Sequence, residues 1–283
     1  MEQLQSNQDI EIQLFLEGIL LRYGYDFRGY ARPSIKRRIL RRLALSEFDS
    51  LSAMQYAMLY DPHFFRLLLQ DFSINVTEMF RNPRFYQVMR EKVVPVLREL
   101  PFIKIWHAGC STGEEVYSMA ILLTEENVYD KTRIYATDVN ADAVNRAKSG
   151  IYALDRMQEY TAGYQRAGGR ASFADYYSAR YDVAIMNNSL KRNMVFADHN
   201  LVTDVSFGEM DLIMCRNVLI YFSRELQNKV FALFLDSLQA GGFLCLGSSE
   251  SVRFFSRSRS FVDFEEKEKI YRKKCRNEII ASA

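Results

Sequence analysis

The chain has 283 residues, with 37 Lys and Arg against 35 Asp and Glu, a formal charge of only +2. With 48% hydrophobic residues, it has material for one large domain or two modest ones, and its composition excludes a disordered chain, a coiled coil and a collagen-like repeat. No apolar run reaches a membrane helix, the start MEQLQSNQDIEIQ lacks a signal peptide's basic head, and neither the four cysteines nor the three histidines fall at ligand spacing, so a cytoplasmic, reduced protein without a structural metal is expected.

Residues 9–100 read as successive helices: Ile12, Phe15, Leu16, Ile19 and Leu20 are helically spaced, as are Leu51, Met54, Met58 and Leu59, then Phe64, Leu67, Leu68 and Phe72. The stretch from Arg22 to Arg42 holds eight basic residues and one acid, Asp26, a local net of +7. Within SIKRRILRRL, Ile35, Ile39 and Leu43 form the buried stripe, and Ser34 is expected as N-cap. Arg37 with Arg41, and Arg38 with Arg42, then face either water or an acidic partner.

From residue 102 the texture changes. FIKIWHAGC, RIYATDV, DLIMCRNVLIYF and GGFLCLGSS read as strands, separated by the helical patterns EEVYSMAILLTEE, ADAVNRAKSG and SRELQNKVFALFLDSLQ. This alternation predicts an α/β, doubly wound, mostly parallel sheet. The expected division is a helical N-terminal domain over 1–90 and an α/β domain over 91–283. Residues 155–200 are longer than a crossover needs, and two β-prone runs flank Asn187–Asn188, so an inserted hairpin or small sheet is expected there.

Four segments carry chemistry. In IWHAGCSTGEE a strand enters Gly109-x-Ser111-x-Gly113 and then a helix, a turn that brings backbone close to a ligand. No Lys-Ser/Thr pair follows to make a phosphate loop, and Glu114 and Glu115 open the helix. Those acids disfavour a pyrophosphate and suit an amino group, or they simply compensate the helix dipole. RIYATDVN ends a strand at Asp138, placed to accept from ribose hydroxyls, although either Asp138 or Asn140 also suits a helix cap. A nicotinamide dinucleotide would use the same geometry but wants a tighter GxGxxG and no acids by its phosphates, so S-adenosylmethionine, with its ribose, adenine and amino-acid tail, fits better. Arg216–Asn217 leave the strand DLIMC, where doubly wound sheets place ligands. No proline follows residue 101, which excludes an Asn/Asp-Pro-Pro-Tyr adenine-methylating motif and a Pro-Cys cytosine-methylating one. Finally, NVTEMFR (Asn75–Arg81) reads as a helix end or as a cofactor contact.

In that order, NVTEMFR, AGCSTGEEVYS, ATDVN and CRNVLIYF resemble the CheR family of chemoreceptor glutamate methyltransferases. The resemblance covers essentially the whole chain. It implies an all-α N-terminal domain, a Rossmann-like S-adenosylmethionine-dependent methyltransferase domain and a small β-subdomain insert. It further implies that Asn75, Thr77 and Arg81 contact the cofactor, that Glu115 rather than Glu114 holds its amino group, and that Asp138 takes the ribose. By the same resemblance Gly109, Asn200, Leu201, Arg216 and Asn217 would complete the pocket, and Tyr221 and Arg81 would stand at the reacting methyl. The implied partners are acidic helical bundles of chemoreceptor cytoplasmic domains, docked by Arg32, Lys36, Arg37, Arg38, Arg41 and Arg42. A monomer is expected, with no nucleic-acid partner and no membrane insertion. The alternatives are a methyltransferase acting on RNA or a different protein, and a signalling protein that only binds the cofactor. Met79 departs from the family's usual aromatic residue, and the insert is longer and rich in tyrosine.

Overall fold

The computed structural model describes residues 6–73 and 77–275. It divides into two compact units, Met1–Ile74 with Tyr221–Lys229, and Asn75–Ile220 with Val230–Ala283.

The first unit is helical. Its helices are α1 (Asn7–Tyr23), α2 (Arg32–Ala44), α3 (Leu51–Tyr60) and α4 (Pro62–Phe72). Three carry side-chain caps: Ser6 accepts from Asp9 N, Ser50 from Ala53 N and Asp61 from His63 N. Phe15, Ile19, Ile39, Met54, Met58 and Leu68 are buried together as the core, as the 3.6-residue spacing requires.

Helix α2 starts earlier than its sequence suggests. Ser34 is not the cap: Ser34 N and Ile35 N both donate to Ala31 O, at 2.9 and 3.1 Å, so the helix begins after Ala31 with Pro33 in its first turn. Nor is its basic face uniform. Arg38, expected at a docking surface, is buried. Its Nη1 donates to Phe72 O, and its guanidinium carbon lies 4.8 Å from the Tyr221 ring centroid. Lys36 pairs with Asp9 at 2.7 Å and Arg42 with both oxygens of Asp71. Arg32, Arg37 and Arg41 are exposed, with no ion pair among the described residues.

The second unit opens with α5 (Pro83–Val88), a π-helical turn (Met89–Val93) and α6 (Val94–Arg98). Then follow β1 (Ile103–Ala108), α7 (Glu114–Glu125), β2 (Thr132–Asp138), α8 (Ala141–Ser149), β3 (Ile151–Ala153), α9 (Met157–Arg166), β4 (Tyr177–Arg180), β5 (Val183–Met186) and α10 (Asn188–Lys191). The unit finishes with β6 (Met194–Asp198), β7 (Met210–Cys215), α11 (Arg224–Ser237), β8 (Leu238–Leu246), β9 (Phe261–Glu265) and β10 (Ile270–Lys273); the first residues of α11 are counted with the helical unit. The strand order is β6-β2-β1-β7-β8-β10-β9, parallel through β8, with β10 antiparallel to both its neighbours, β8 and β9. Order reverses between β1 and β7, which opens a crevice at their carboxyl ends. This is a doubly wound, Rossmann-like architecture.

Two boundaries shift. Residues 77–90 pack with the α/β unit rather than the helical one: Met79, Phe80, Phe85, Tyr86, Val88 and Met89 are buried in its core, and Phe80 N donates to Ser118 Oγ on α7 at 2.9 Å. The insert begins at β3, before residue 155, as a three-stranded antiparallel sheet in the order β3-β5-β4. Its tight turn lies at Tyr181–Asp182, where Tyr181 adopts φ +50, and the Asn187–Asn188 site instead starts the short helix α10. The run MVFAD, expected within the insert, leaves it as β6 and completes the edge of the main sheet, Ile134 to Asp138 pairing with Met194 to Asp198. A β-prone run beside β2's unpaired edge finds its backbone partners there.

Candidate functional site

The turn after β1 is set by backbone geometry. Gly109, Ser111 and Gly113 all take left-handed backbone, at φ +80, +50 and +93. A Cβ on Gly109 would stand 2.5 Å from Val218 Cγ2, so only glycine fits. Gly109 N and Cys110 N each donate to Thr137 O at 2.8 Å, which ties the turn to the tip of β2.

Asp138 completes that tie. Its Oδ2 accepts from Ser111 N at 2.8 Å and its Oδ1 from Asn140 N at 3.0 Å. The cap of α8 is Asn140, whose side chain accepts from Asp142 N and Ala143 N, so Asp138 is not spent as a cap. Val139 N adds a third backbone donor, and a carboxylate with about four acceptor sites still has room for a further donor. Burial pushes the Asp138 carboxyl up, against the pull of its backbone hydrogen bonds. His199 N donates to Asp138 O at 3.1 Å and so brings Asn200–Leu201 to the same strand tip. Asn200 Oδ1 accepts from Val202 N at 3.0 Å, and Leu201 is buried.

At the start of α7 the two acids part. Glu114 accepts from Thr112 Oγ1 at 2.6 Å, and burial pushes its carboxyl up. Glu115 accepts from Arg216 Nη1 at 3.0 Å on Oε2, and its Oε1 lies 3.2 Å from His107 Nδ1. Burial would raise the Glu115 carboxyl, but the His107 hydrogen bond and the Arg216 charge outweigh it and hold it low. Its side chain remains 20% exposed, and each oxygen keeps acceptor capacity beyond the donor it already has. Arg216 is buried, donates from Nη2 to Asn82 Oδ1 at 3.0 Å and sits 4.1 Å over the Phe85 ring.

The loop after β7 is held by a residue that no motif announces. Glu250 is buried and accepts from Gly247 N, Asn217 N, Leu219 N and Ile220 N, at 2.6, 2.9, 2.7 and 3.3 Å. This stabilises Asn217 in left-handed backbone at φ +63.

The structure therefore gathers Gly109, Glu115, Asp138, Arg216 and Asn217 at the carboxyl ends of β1, β2 and β7, with Asn200–Leu201 beside Asp138. Thr77 and Arg81 belong to the same unit, next to Phe80. Asn75 lies outside the described residues. Tyr221 belongs to the helical unit, where its carbonyl accepts from Ala31 N at 2.8 Å. His107 and Glu250 escape sequence reasoning, because each acts through a fold-dependent partner.

These residues fit S-adenosylmethionine. A partly exposed Glu115, held low by His107 and Arg216, offers an acceptor to an ammonium, and Asp138 keeps acceptor capacity beyond its backbone donors for a ribose hydroxyl. The buried Arg216 Nε has no hydrogen-bond partner among the described residues. Two acids at the helix N-terminus do not fit a phosphate.

Comparison with known proteins agrees. Residues 75–268 match the CheR methyltransferase SAM binding domain, and residues 10–73 match the CheR methyltransferase all-alpha domain. The chain is 53% identical to "Putative methyltransferase Cher3" of Pseudomonas putida over 95% of its own length and 98% of that protein. It is 32% identical to a "Chemotaxis protein methyltransferase" of Listeria innocua, covering 81% and 85% of the two chains. A "Chemotaxis protein methyltransferase 1" of Vibrio cholerae is 36% identical over 64% of this chain and 66% of its own. The all-α and the S-adenosylmethionine-binding units, matched in that order along one chain, place this protein in the CheR methyltransferase family.

Proposed function

We propose that the protein methylates glutamate side chains of chemoreceptors from S-adenosylmethionine, forming glutamate methyl esters in chemotaxis or a related signalling pathway. Bound S-adenosylmethionine supplies an electrophilic sulfonium methyl group. Glu115 is the residue to hold its amino group, Asp138 the ribose hydroxyls, and Gly109, Asn200, Leu201, Arg216 and Asn217, with Asn75, Thr77 and Arg81, the rest. Tyr221 and Arg81 are the side chains assigned to the reacting methyl.

A glutamate with a pKa near about 4.3 is already a carboxylate at neutral pH. The nucleophile therefore needs no general base, and the protein's task is to orient it and strip part of its hydration. The observation that carries the reading is the partly exposed Glu115, clamped by Arg216 and held below the usual carboxylate range at the head of α7, an ammonium acceptor rather than a phosphate site. The exposed Arg32, Arg37 and Arg41, with Lys36 and Arg42, suit an acidic helical substrate; Arg38, being buried, is withdrawn from that docking set.

The test is incubation with methyl-labelled S-adenosylmethionine and receptor cytoplasmic fragments. Label released as methanol by alkali is expected, because a methyl ester is base-labile. Alkali-stable label on protein or RNA would replace the glutamate assignment with an amine or nucleic-acid substrate, and no transfer to any acceptor would leave a cofactor-binding signalling protein.

A further inference from the structure

His107 is the one imidazole in the α/β unit that meets a carboxylate of the candidate pocket. It lies on the central strand β1, 1% exposed. Its Nδ1 lies 3.2 Å from Glu115 Oε1. A carboxylate can only accept, so the proton sits on Nδ1. Its Nε2 is buried with no partner among the described residues.

We infer that His107 is a positioning residue for the cofactor's amino group, fixing Glu115 Oε1 through Nδ1–H while Arg216 fixes Oε2. This rests on the reading that Glu115 receives that amino group. Two donors arriving from β1 and from the end of β7 leave the carboxylate one orientation, with its remaining lone pairs turned to the open side. An ammonium then meets an acceptor already in place and ionised, so little ordering cost is left for binding.

The remaining titratable neighbours do not substitute for His107. The Tyr86 phenol on α5 and the thiols of Cys110, Cys215 and Cys245 are all pushed up by burial, and stay neutral at physiological pH. Glu114 turns instead to Thr112. Without His107 the burial of Glu115 is opposed by Arg216 alone. Its carboxyl then titrates at a higher pH, and because it must be ionised to hold an ammonium, affinity is lost earlier as pH falls.

Calorimetric titration with S-adenosylhomocysteine, which carries the same amino group, tests this on the full chain. His107→Leu is expected to weaken binding about tenfold at neutral pH, the scale of a hydrogen bond to a charged group. Its affinity should also fall away at higher pH than the parent's. His107→Asn, whose amide nitrogen occupies the place of Nδ1, should restore both the affinity and the pH profile. His107→Gln, which reaches the place of Nε2 instead, should not. If the leucine variant misfolds, the Asn and Gln pair carries the test. Equal, parent-like affinity in all folded variants overturns the inference, whatever their melting temperatures. Glu115→Gln separates the two layers. Unchanged affinity there overturns the Glu115 assignment itself, whereas a weakened Glu115→Gln beside a normal His107→Leu overturns only the role of His107.

Discussion

Gly109 carries a constraint that a single methyl group would violate twice. An alanine there would adopt φ +80 and press its Cβ to 2.5 Å from Val218 Cγ2. The backbone conformation costs about 1–3 kcal/mol, and the overpacking about 1–3 more. Gly109→Ala should therefore lower the melting temperature by several degrees and loosen the turn. Weaker S-adenosylhomocysteine binding measured on the still-folded fraction is the check, and an unchanged melting temperature would contradict the geometry. This constraint was legible in the sequence because a glycine between a strand and a helix marks a turn that other side chains resist. The burial of Arg38 was not. Helical spacing assigns a side chain to a face of α2, but it does not say that the carbonyl of Phe72 and the ring of Tyr221 cover that face. Glu250 was hidden for a related reason: its four backbone donors come from Gly247 and from a segment some thirty residues earlier.

Among the elements, α7 works at both ends. Its first turn presents Glu115, and its last residue, Glu125, lies with the capping Glu126 in a buried charge cluster. Arg90 pairs with Glu125 and, at 3.2 Å, with Glu126, which also meets Arg98 at 3.2 Å and Arg170 at 2.7 Å. Glu125 accepts further from Tyr176 OH at 3.0 Å, from Arg170 N at 3.0 Å and from Tyr164 OH. Burial would raise its carboxyl, but the Tyr164 and Arg170 hydrogen bonds and Arg90 outweigh it and bring it below its ordinary 4.5. A depressed carboxyl contributes stability that is present above 4.5 and is lost as pH falls through the lower folded value. Glu125→Gln should accordingly destabilise by up to about 3–5 kcal/mol at neutral pH, the cost of breaking a buried pair. The difference from the parent, read from urea unfolding midpoints, should shrink on the acid side of 4.5. A gap that stays constant with pH would show that the charge contributes nothing. The alternation of strands and helices was readable at this scale because period and turn residues are local signals. The destination of Met194–Asp198 was not, since an apolar run of that length joins whichever sheet offers it an open edge.

For the molecule as a whole, a charge of +2 conceals the +7 carried between Arg22 and Arg42. The structure trims the free part of that charge, as Arg28, Lys36 and Arg42 pair with nearby acids. Arg32, Arg37 and Arg41 remain exposed on α2. Reversing Arg37 and Arg41 to Glu should reduce methylation of an acidic receptor fragment about tenfold or more at low ionic strength, through slower association. The loss should narrow in high salt, and S-adenosylhomocysteine affinity should stay at the parent value. Equal loss at every ionic strength would remove the electrostatic role. No helix among the described residues is long and apolar enough to cross a membrane.

The insert's two ends lie together, since Lys191 Nζ donates to Ser149 O at 2.5 Å and Met186 N to Gly150 O at 2.9 Å. Such adjacency invites the idea of a cassette that could be exchanged between relatives. Its inner side argues otherwise. Met157, Tyr160, Tyr164, Phe173, Met186 and Leu190 belong to the same buried cluster as Phe80, Tyr117 and Tyr129. A transplanted insert would have to bring along Phe80, Tyr117 and Tyr129, on which it rests, so the insert and segments far from it in the chain form one unit of exchange.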